Sequence, residues 1–288
     1  MSTGRDYLGP YRLVRLLRTS QTCQILEAIR DSDGIRVVLK ALNRRNAGNR
    51  AEIGLLKHEF SVGCNLHHPC VIETYAYHDQ YEVPFLAMES FNALNLKQAL
   101  RQAHEALFTS PEGIIRQAAE GLHYFHGAGY LHRDVKPDNF LLSDEGGLKL
   151  IDFSIAQKQV KGLAKLFAGK SKIAGTRSYM APEQIRGKEV DARADIYSYG
   201  CMVYELLCGK PPYSAVNPDD LLNKHLKSPI PSIVSANDNV TPEMAALVTR
   251  LLAKKREDRP ASLGEVLEEL AKIRPYKHPP RRPTAEEV

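Results

Sequence analysis

The spacing of apolar residues along the chain changes near residue 90. Before that point, short apolar runs predict strands, as at residues 35–40, where β-branched residues are frequent, and at residues 85–89. Apolar residues at helical spacing predict one helix over residues 51–66, which has to end before Pro69. After residue 90, helical spacing dominates. The predicted helices cover residues 94–103, 112–127, 196–207, 218–225, 242–252 and 263–273.

A small strand-rich part followed by a larger helical part predicts the α+β class. The chain has 288 residues and 43% hydrophobic content, which is enough for two units that each bury a core. Residues 275–288 carry four prolines and alternating charges, so we predict that they form a disordered tail.

Charge and cysteine content exclude several classes of protein. The formal net charge is only +5 and the acids are evenly mixed with the bases, so no dedicated nucleic-acid surface is expected. The five cysteines are scattered without a CxxC pair, which indicates reduced thiols and neither a disulfide framework nor a zinc site. No signal peptide and no run near 18 apolar residues is visible, so we expect a cytoplasmic protein that does not span a membrane.

Candidate chemistry concentrates in two short stretches. Residues 132–139 read His-Arg-Asp-Val-Lys-Pro-Asp-Asn, and Asp152 follows thirteen positions after Asn139. Phosphoryl transfer needs cations at the phosphates, oxygen ligands for a metal, and a base near the attacking hydroxyl. These stretches supply Asp134 as a base and Asn139 and Asp152 as oxygen ligands.

The two stretches resemble the catalytic loop and the metal loop of eukaryotic-type (Hanks-type) serine/threonine protein kinases. The resemblance extends over residues 11–273. It implies a bilobal kinase fold, with an N-lobe at residues 11–90 and a C-lobe at residues 91–274, preceded by an N-terminal extension at residues 1–10.

The resemblance also implies roles for individual residues. Asp134 would act as the base, Lys136 would meet the γ-phosphate, and Asn139 and Asp152 would bind Mg²⁺. Thr176 would hydrogen-bond the Asp134 and Lys136 pair. Lys40 would hold the α- and β-phosphates of ATP and Glu59 would be its ion-pair partner. The remaining nucleotide contacts would come from Ile25, Val38, Met88, Glu89, Phe91 and Leu141.

Motifs after the metal loop favour a protein as the substrate. Residues 175–183 resemble a substrate-facing loop with its Ala-Pro-Glu anchor, in which Glu183 would pair with Arg259, and Asp195 resembles the aspartate that supports the catalytic loop. Small-molecule phosphotransferases with a similar core usually lack this apparatus, and they remain a further alternative. The apolar residues of 160–167 predict a short basic amphipathic helix; a solvated loop, an inhibitory plug and a contact for an acidic partner remain alternatives.

The chain departs from the family pattern in the glycine-rich loop over the phosphates. Arg18, Ser20 and Cys23 stand at the three glycine positions. If each position needed a positive φ, the strain would reach about 1–2 kcal/mol per residue, and nucleotide binding would weaken. A loop that lies higher would avoid that strain. The alternative function is therefore a pseudokinase, a scaffold or allosteric binding module that holds nucleotide poorly.

A second departure concerns the packing around the metal loop. Gly63 and Thr74 stand where the family places apolar side chains against Phe153 and His132. We expect an underfilled stack there, which a partner protein or a second copy of the chain would complete to give the active state.

Overall fold

The computed structural model describes residues 7–159 and 175–282. These residues divide into two compact units. The first combines residues 7–92 with Asp152–Ile155, and the second comprises Ala93–Ile151 and the described residues from Ala156 onward. The first unit is rich in strands and the second in helices, which confirms the predicted α+β class.

The first unit is an antiparallel sheet with one long helix. Within its described residues, the strand order is β1-β2-β3-β4-β6-β5. The strands are β1 (Tyr7–Leu8), β2 (Tyr11–Thr19), β3 (Cys23–Arg30), β4 (Arg36–Leu42), β5 (Thr74–His78) and β6 (Phe85–Glu89), and the helix is α1 (Arg50–Gly63). A 3₁₀ turn at Arg44–Asn46 follows β4. The core of the sheet includes Val37, Leu39, Phe85 and Ala87, none of which has exposed surface.

Asn49 caps helix α1, because its side chain accepts a hydrogen bond from the amide of Ala51 and so satisfies one of the free amides of the first turn. The helix ends at Gly63, three residues before the predicted end. The amide of Leu66 turns back to the carbonyl of Gly63 at 3.1 Å, which closes the chain into a turn.

The predicted underfilled stack at Gly63 is wrong. A Cβ atom on Gly63 would lie 2.5 Å from Oγ1 of Thr74 and 3.2 Å from a ring carbon of Phe153. Phe153 and Thr74 are both buried. The small residue on α1 is therefore matched by close approach of its neighbours, and the space that a larger side chain would fill is already occupied.

Exchange of Gly63 for Ala tests this packing. We expect the free energy of unfolding to fall by about 1–3 kcal/mol, because the added methyl group overpacks a filled space. Urea denaturation of the full chain measures the change. Gly54→Ala is the matched control, since Gly54 lies in the same helix with nothing within 4 Å of its Cβ position. The control should gain about 0.5–1 kcal/mol, and an equal gain at Gly63 would contradict the packing described above.

The second unit contains short strands and a set of helices. The strands are β7 (Leu94–Asn95), β8 (Tyr130–Leu131), β9 (Phe140–Leu142), β10 (Leu148–Leu150) and β11 (Gln157–Lys158). The helices are α2 (Leu96–Arg101), α3 (Ala106–Thr109), α4 (Pro111–Gly127), α5 (Pro182–Ile185), α6 (Ala192–Cys208), α7 (Pro218–Lys227), α8 (Ile233–Ala236), α9 (Pro242–Leu251) and α10 (Leu263–Leu270). Further 3₁₀ turns lie at Pro137–Asn139, Arg177–Tyr179 and Arg256–Asp258.

Helix α6 is the most deeply buried helix of those described in the second unit. The side chain of Asp191 caps its first turn, and Gly209, with φ of 73°, ends it in the left-handed conformation that glycine tolerates. Gly200 lets α9 approach, since a Cβ there would lie 2.7 Å from Cβ of Leu251. A helix surrounded by protein in this way is a rigid support for the polar residues that it carries.

The predicted disordered tail differs from the structure at its start. Pro275 accepts a hydrogen bond from the amide of Thr241, and Tyr276 pairs with Val240. The amide of His278 also bonds to the side chain of Asn239. Pro275 did not prevent this pairing, because it contributes its carbonyl and the donated amides belong to other residues.

Two further sequence predictions concern other parts of the chain. The amphipathic helix predicted at residues 160–167 lies outside the described residues, as does the end of the predicted tail at residues 283–288. Across residues 7–159 and 175–282, none of the helices combines the length and the apolar character needed to cross a bilayer.

Candidate active site

Lys40, Glu59 and Asp152 come together in the first unit. The ammonium of Lys40 lies 2.7 Å from Oε2 of Glu59 and 3.3 Å from Oδ1 of Asp152. Burial alone would lower the pKa of Lys40, but the attraction of Glu59 and then of Asp152 outweighs it and raises the pKa. Burial raises the pKa of Glu59, and the ammonium opposes that rise. Lys40 therefore keeps its charge at physiological pH.

Asp152 has a strained backbone. Its φ is 66°, in the left-handed region that costs a non-glycine residue about 1–2 kcal/mol. The amide of Ser154 approaches Oδ1 of Asp152 at 3.4 Å, and Phe153 anchors the segment by burial. Strain of this kind persists where the surrounding structure fixes the residue, and it concentrates at functional sites.

Four predicted nucleotide contacts share one face of the sheet. Ile25 pairs directly with Lys40, and Val38 pairs directly with Met88. Directly opposed residues lie on the same face, and Val38 and Lys40 are two positions apart on β4, so all four side chains belong to one face. Each is half-buried, whereas the intervening Val37 and Leu39 are fully buried in the core.

The other predicted nucleotide contacts lie elsewhere on the two units. Glu89 is the last residue of β6, and its Oε2 accepts a hydrogen bond from the amide of Glu73 at 3.3 Å. Phe91 follows in the loop after β6, and Leu141 lies on β9 in the second unit. All three are half-buried.

The turn between β2 and β3 carries none of the backbone strain considered for its missing glycines. Among the described residues, positive φ outside glycine occurs at Ala103, Arg133 and Asp152. Arg18, Ser20 and Cys23 thus adopt φ values open to any residue. The turn follows a different course from one that would need glycine, and the strain penalty does not apply.

Asp134, Lys136, Asn139 and Thr176 come together in the second unit. The ammonium of Lys136 donates to Oδ2 of Asp134 at 2.6 Å and to Oγ1 of Thr176 at 2.7 Å, while the amide of Thr176 donates to Oδ1 of Asp134 at 2.7 Å. The side-chain amide of Asn139 donates to the backbone carbonyl of Asp134 at 2.8 Å. Both carboxylate oxygens of Asp134 are therefore oriented by fixed donors.

The backbone before Asp134 is held by Asp195 on α6. Its carboxylate accepts the amides of His132 at 2.7 Å and Arg133 at 2.8 Å, and the ring of His126 at 2.8 Å. Burial alone would raise the pKa of Asp195, but the hydrogen bond from His126, the electrostatic influence of His126 and His132, and the amide of Arg133 lower it. These bonds hold Arg133 at φ of 69°, a strained value for a non-glycine residue.

The segment that follows Thr176 is anchored by a buried ion pair. Arg259 donates to both oxygens of Glu183, at 2.6 and 2.9 Å, in a buried bidentate ion pair. Gln184 donates to the carbonyl of Arg133 at 3.1 Å, which ties this segment to the catalytic loop. Gly175 fits against the same carbonyl, since a Cβ there would lie 2.7 Å from it.

Two parts of this network have no signal in the sequence. Glu205 on α6 accepts hydrogen bonds from Lys97 on α2 and, at 2.6 Å, from the hydroxyl of Tyr179. The contact of His126 with Asp195 likewise has no local signal. Lys97 and Glu205 are 108 residues apart, so no local spacing could have indicated their contact.

Comparison with known families accounts for this arrangement. Residues 11–271 match the family described as the protein kinase domain. Because the match covers most of the chain, the chain belongs to the protein kinase family.

Several proteins similar to this chain are named serine/threonine-protein kinases. It is similar to the serine/threonine-protein kinase PknH of Mycobacterium tuberculosis, with 32% identity over 90% of this chain and 41% of that protein. The kinase PknA of Mycobacterium tuberculosis is 30% identical over 95% of this chain and 63% of its own length. The kinase PknB of Mycolicibacterium smegmatis is 32% identical over 72% and 34%. The chain thus spans less than two thirds of the length of each of these relatives.

Exchange of Asp195 for Asn tests the support of the catalytic loop. An amide replaces a carboxylate that accepts three hydrogen bonds, so we expect the free energy of unfolding to fall by about 2–4 kcal/mol in urea denaturation. Because folding lowers the pKa of Asp195, its stabilisation is present above the unfolded pKa of about 4 and is lost as pH falls through the folded pKa. The difference between wild type and variant should therefore shrink in acid.

The matched control for this experiment is Asp220→Asn, which makes the same chemical change at an exposed position in the first turn of α7. Its effect should stay within about 1 kcal/mol. Equal losses at both positions would show that Asp195 has no special structural role.

Proposed function

We propose that this chain transfers a phosphoryl group from Mg-ATP to serine or threonine hydroxyls of proteins. The observation that carries the proposal is the bonded set of Asp134, Lys136 and Thr176, with Asn139 fixed beside it. It presents a carboxylate and a cation, both oriented, on a loop supported by buried bonds. The relatives named above, all designated serine/threonine-protein kinases, support the hydroxyl class.

The roles follow from charge and proton transfer. Asp134 accepts the proton of the substrate hydroxyl. The hydroxyl oxygen bonds to the γ-phosphorus while the bond from that phosphorus to the ADP oxygen breaks. Lys136 neutralises charge on the transferring group, and Lys40, held by Glu59, pairs with the α- and β-phosphates. Thr176 keeps Lys136 and Asp134 in register for this step.

Magnesium fits the donor chemistry of the proposed ligands. A carboxylate from Asp152 and an amide oxygen from Asn139 are the hard oxygen ligands that Mg²⁺ prefers, with waters and phosphates completing the set. The Asp152 side chain is 34% exposed and its contacts to Lys40 and Ser154 are long. Asn139 uses its nitrogen toward Asp134, which keeps its oxygen as the acceptor. When bound, the ion would neutralise phosphate charge and orient the triphosphate.

For the base, we propose Ile25, Val38 and Leu141 as apolar contacts, with Met88, Glu89 and Phe91 along the strand end and the loop beyond it. The shared face and half-burial of Ile25, Val38 and Met88 support this assignment.

The alternative of a pseudokinase receives no support from the comparisons, since the relatives named above are designated kinases. Two arguments behind it have also weakened, because the β2–β3 turn is unstrained and the space at Gly63 is filled. An activating partner or a homodimer, the cytoplasmic location and the lack of nucleic-acid binding stay predictions.

Exchange of Asp134 for Asn tests the proposed reaction. Loss of the base should lower kcat by about 10²–10⁴-fold, measured as transfer of radiolabelled phosphate from Mg-ATP to a generic protein substrate. Asp152→Asn should also abolish most transfer. Asp144→Asn is the control, because its side chain is 82% exposed in the turn between β9 and β10. A wild type that binds Mg-ATP without transferring phosphate would favour the pseudokinase instead.

Thr176 gives a second, finer test. Thr176→Val removes the hydroxyl that accepts from Lys136, whereas Thr176→Ser keeps it. We expect the Val variant to lose about tenfold in kcat, as for a hydrogen bond to a charged group, with the KM for ATP little changed. The Ser variant should stay near wild type. A loss in Thr176→Ser with none in Thr176→Val would mean that the methyl group, not the hydroxyl, matters.

A further inference from the structure

The turn between β2 and β3 is bonded to the segment that follows β4. Asn43 donates its side-chain amide to the carbonyls of Ser20 at 3.1 Å and Gln21 at 3.0 Å, and its backbone amide to Thr22 at 2.8 Å. Asn46 donates to Gln21 at 3.0 Å and Thr22 at 3.3 Å. The guanidinium of Arg45 adds a bond to Gln21 at 2.7 Å. Three consecutive carbonyls are thus held by donors from residues 43–46.

The turn is also closed by its own side chain. Oγ of Ser20 accepts the amides of Cys23 at 2.9 Å and Thr22 at 3.3 Å, and the amide of Ser20 donates to the carbonyl of Cys23 at 2.8 Å. In a glycine-rich loop, backbone amides approach the phosphates. Here the amides of Ser20, Thr22 and Cys23 already have acceptors.

Strand β2 can do little to fix this turn by packing. Of its nine residues only Tyr11 is buried, and the rest are half-buried or exposed. Its pairing with β3 is also interrupted twice, between Leu13 and Arg15 and between Leu16 and Arg18. The contacts from residues 43–46 therefore supply positional restraint that the strand lacks.

These contacts join the turn to the strand that carries Lys40. Asn43 comes three positions after Lys40, and Ile25 pairs with Lys40 across β3 and β4. A turn tied to residues 43–46 is consequently held at a fixed position relative to the ammonium that would grip the phosphates.

We propose that Asn43, Arg45 and Asn46 are positioning residues for nucleotide binding. They fix the position of the β2–β3 turn relative to Lys40, in place of a mobile glycine loop. The inference rests on the proposed phosphotransfer function. It makes ATP affinity depend on side-chain donors beneath the turn, while the phosphate contacts themselves come from Lys40 and other side chains.

The test compares steady-state kinetics of the full chain with Mg-ATP and a peptide substrate. The variant Asn43→Ala/Asn46→Ala removes the neutral donors, and we expect the KM for ATP to rise about tenfold, equivalent to about 1.4 kcal/mol. The kcat and the KM for peptide should change by less than about twofold, because the variant weakens the bound ground state and the bound transition state equally. Hydrogen exchange at the amides of Thr22 and Cys23 should become faster in parallel.

Arg45→Ala and Arg44→Ala form a matched pair. Both remove one positive charge from the same 3₁₀ turn, but Arg44 pairs with exposed Glu82 and Arg45 holds the β2–β3 turn. The KM for ATP should rise only in Arg45→Ala. Equal effects would assign the change to charge and overturn the positioning role, as would faster exchange with an unchanged KM for ATP.

Two kinds of failure are separable. A wild type that transfers phosphate but whose KM for ATP ignores these substitutions overturns the inference alone. A wild type that transfers no phosphate overturns the proposed function and the inference with it.

Discussion

The carboxylate of Asp195 holds a strained loop in place. Its bonds to the amides of His132 and Arg133 fix the backbone immediately before Asp134, at the point where Arg133 adopts a left-handed conformation. A charge this deeply buried is stable only when its acceptor sites are filled, and His126 fills a further one. Because α6 is enclosed by the second unit, it gives these bonds a rigid base, so the position of Asp134 depends on the core.

The β2–β3 turn solves a similar positioning problem without a core. The catalytic loop is held from a buried helix by an anion that accepts backbone amides. The turn is held at the surface by side chains that donate to its carbonyls, chiefly those of Asn43 and Asn46. Neutral, partly exposed bonds of this kind are individually weak, so several are needed to match the restraint that burial provides at Asp195.

Much of the fold and of the catalytic loop could be predicted from the sequence, because helical spacing and short motifs are local signals. The pairing of Glu183 with Arg259 and the contacts of Thr176 were implied by motif resemblance and occur as expected. Predictions failed where a residue's meaning depends on a distant neighbour. The small size of Gly63 indicated a gap, but Thr74 and Phe153 fill that space. Their approach is a tertiary contact that the local sequence does not show. The contact between Lys97 and Glu205 had no local signal for the same reason.

Charge pairing within each unit links these observations. Lys40 is balanced by Glu59 and Asp152 in the first unit, and Lys136 is balanced by Asp134 in the second. Desolvating either ammonium alone would be costly, so the burial of each is offset by carboxylates of its own unit, which also orient it. An anion that approaches either cation therefore meets a group that folding has already largely desolvated and paired. The electrostatic cost of placing each cation is therefore met during folding, which is the condition that the proposed phosphoryl transfer sets for preorganised stabilisation of its transition state.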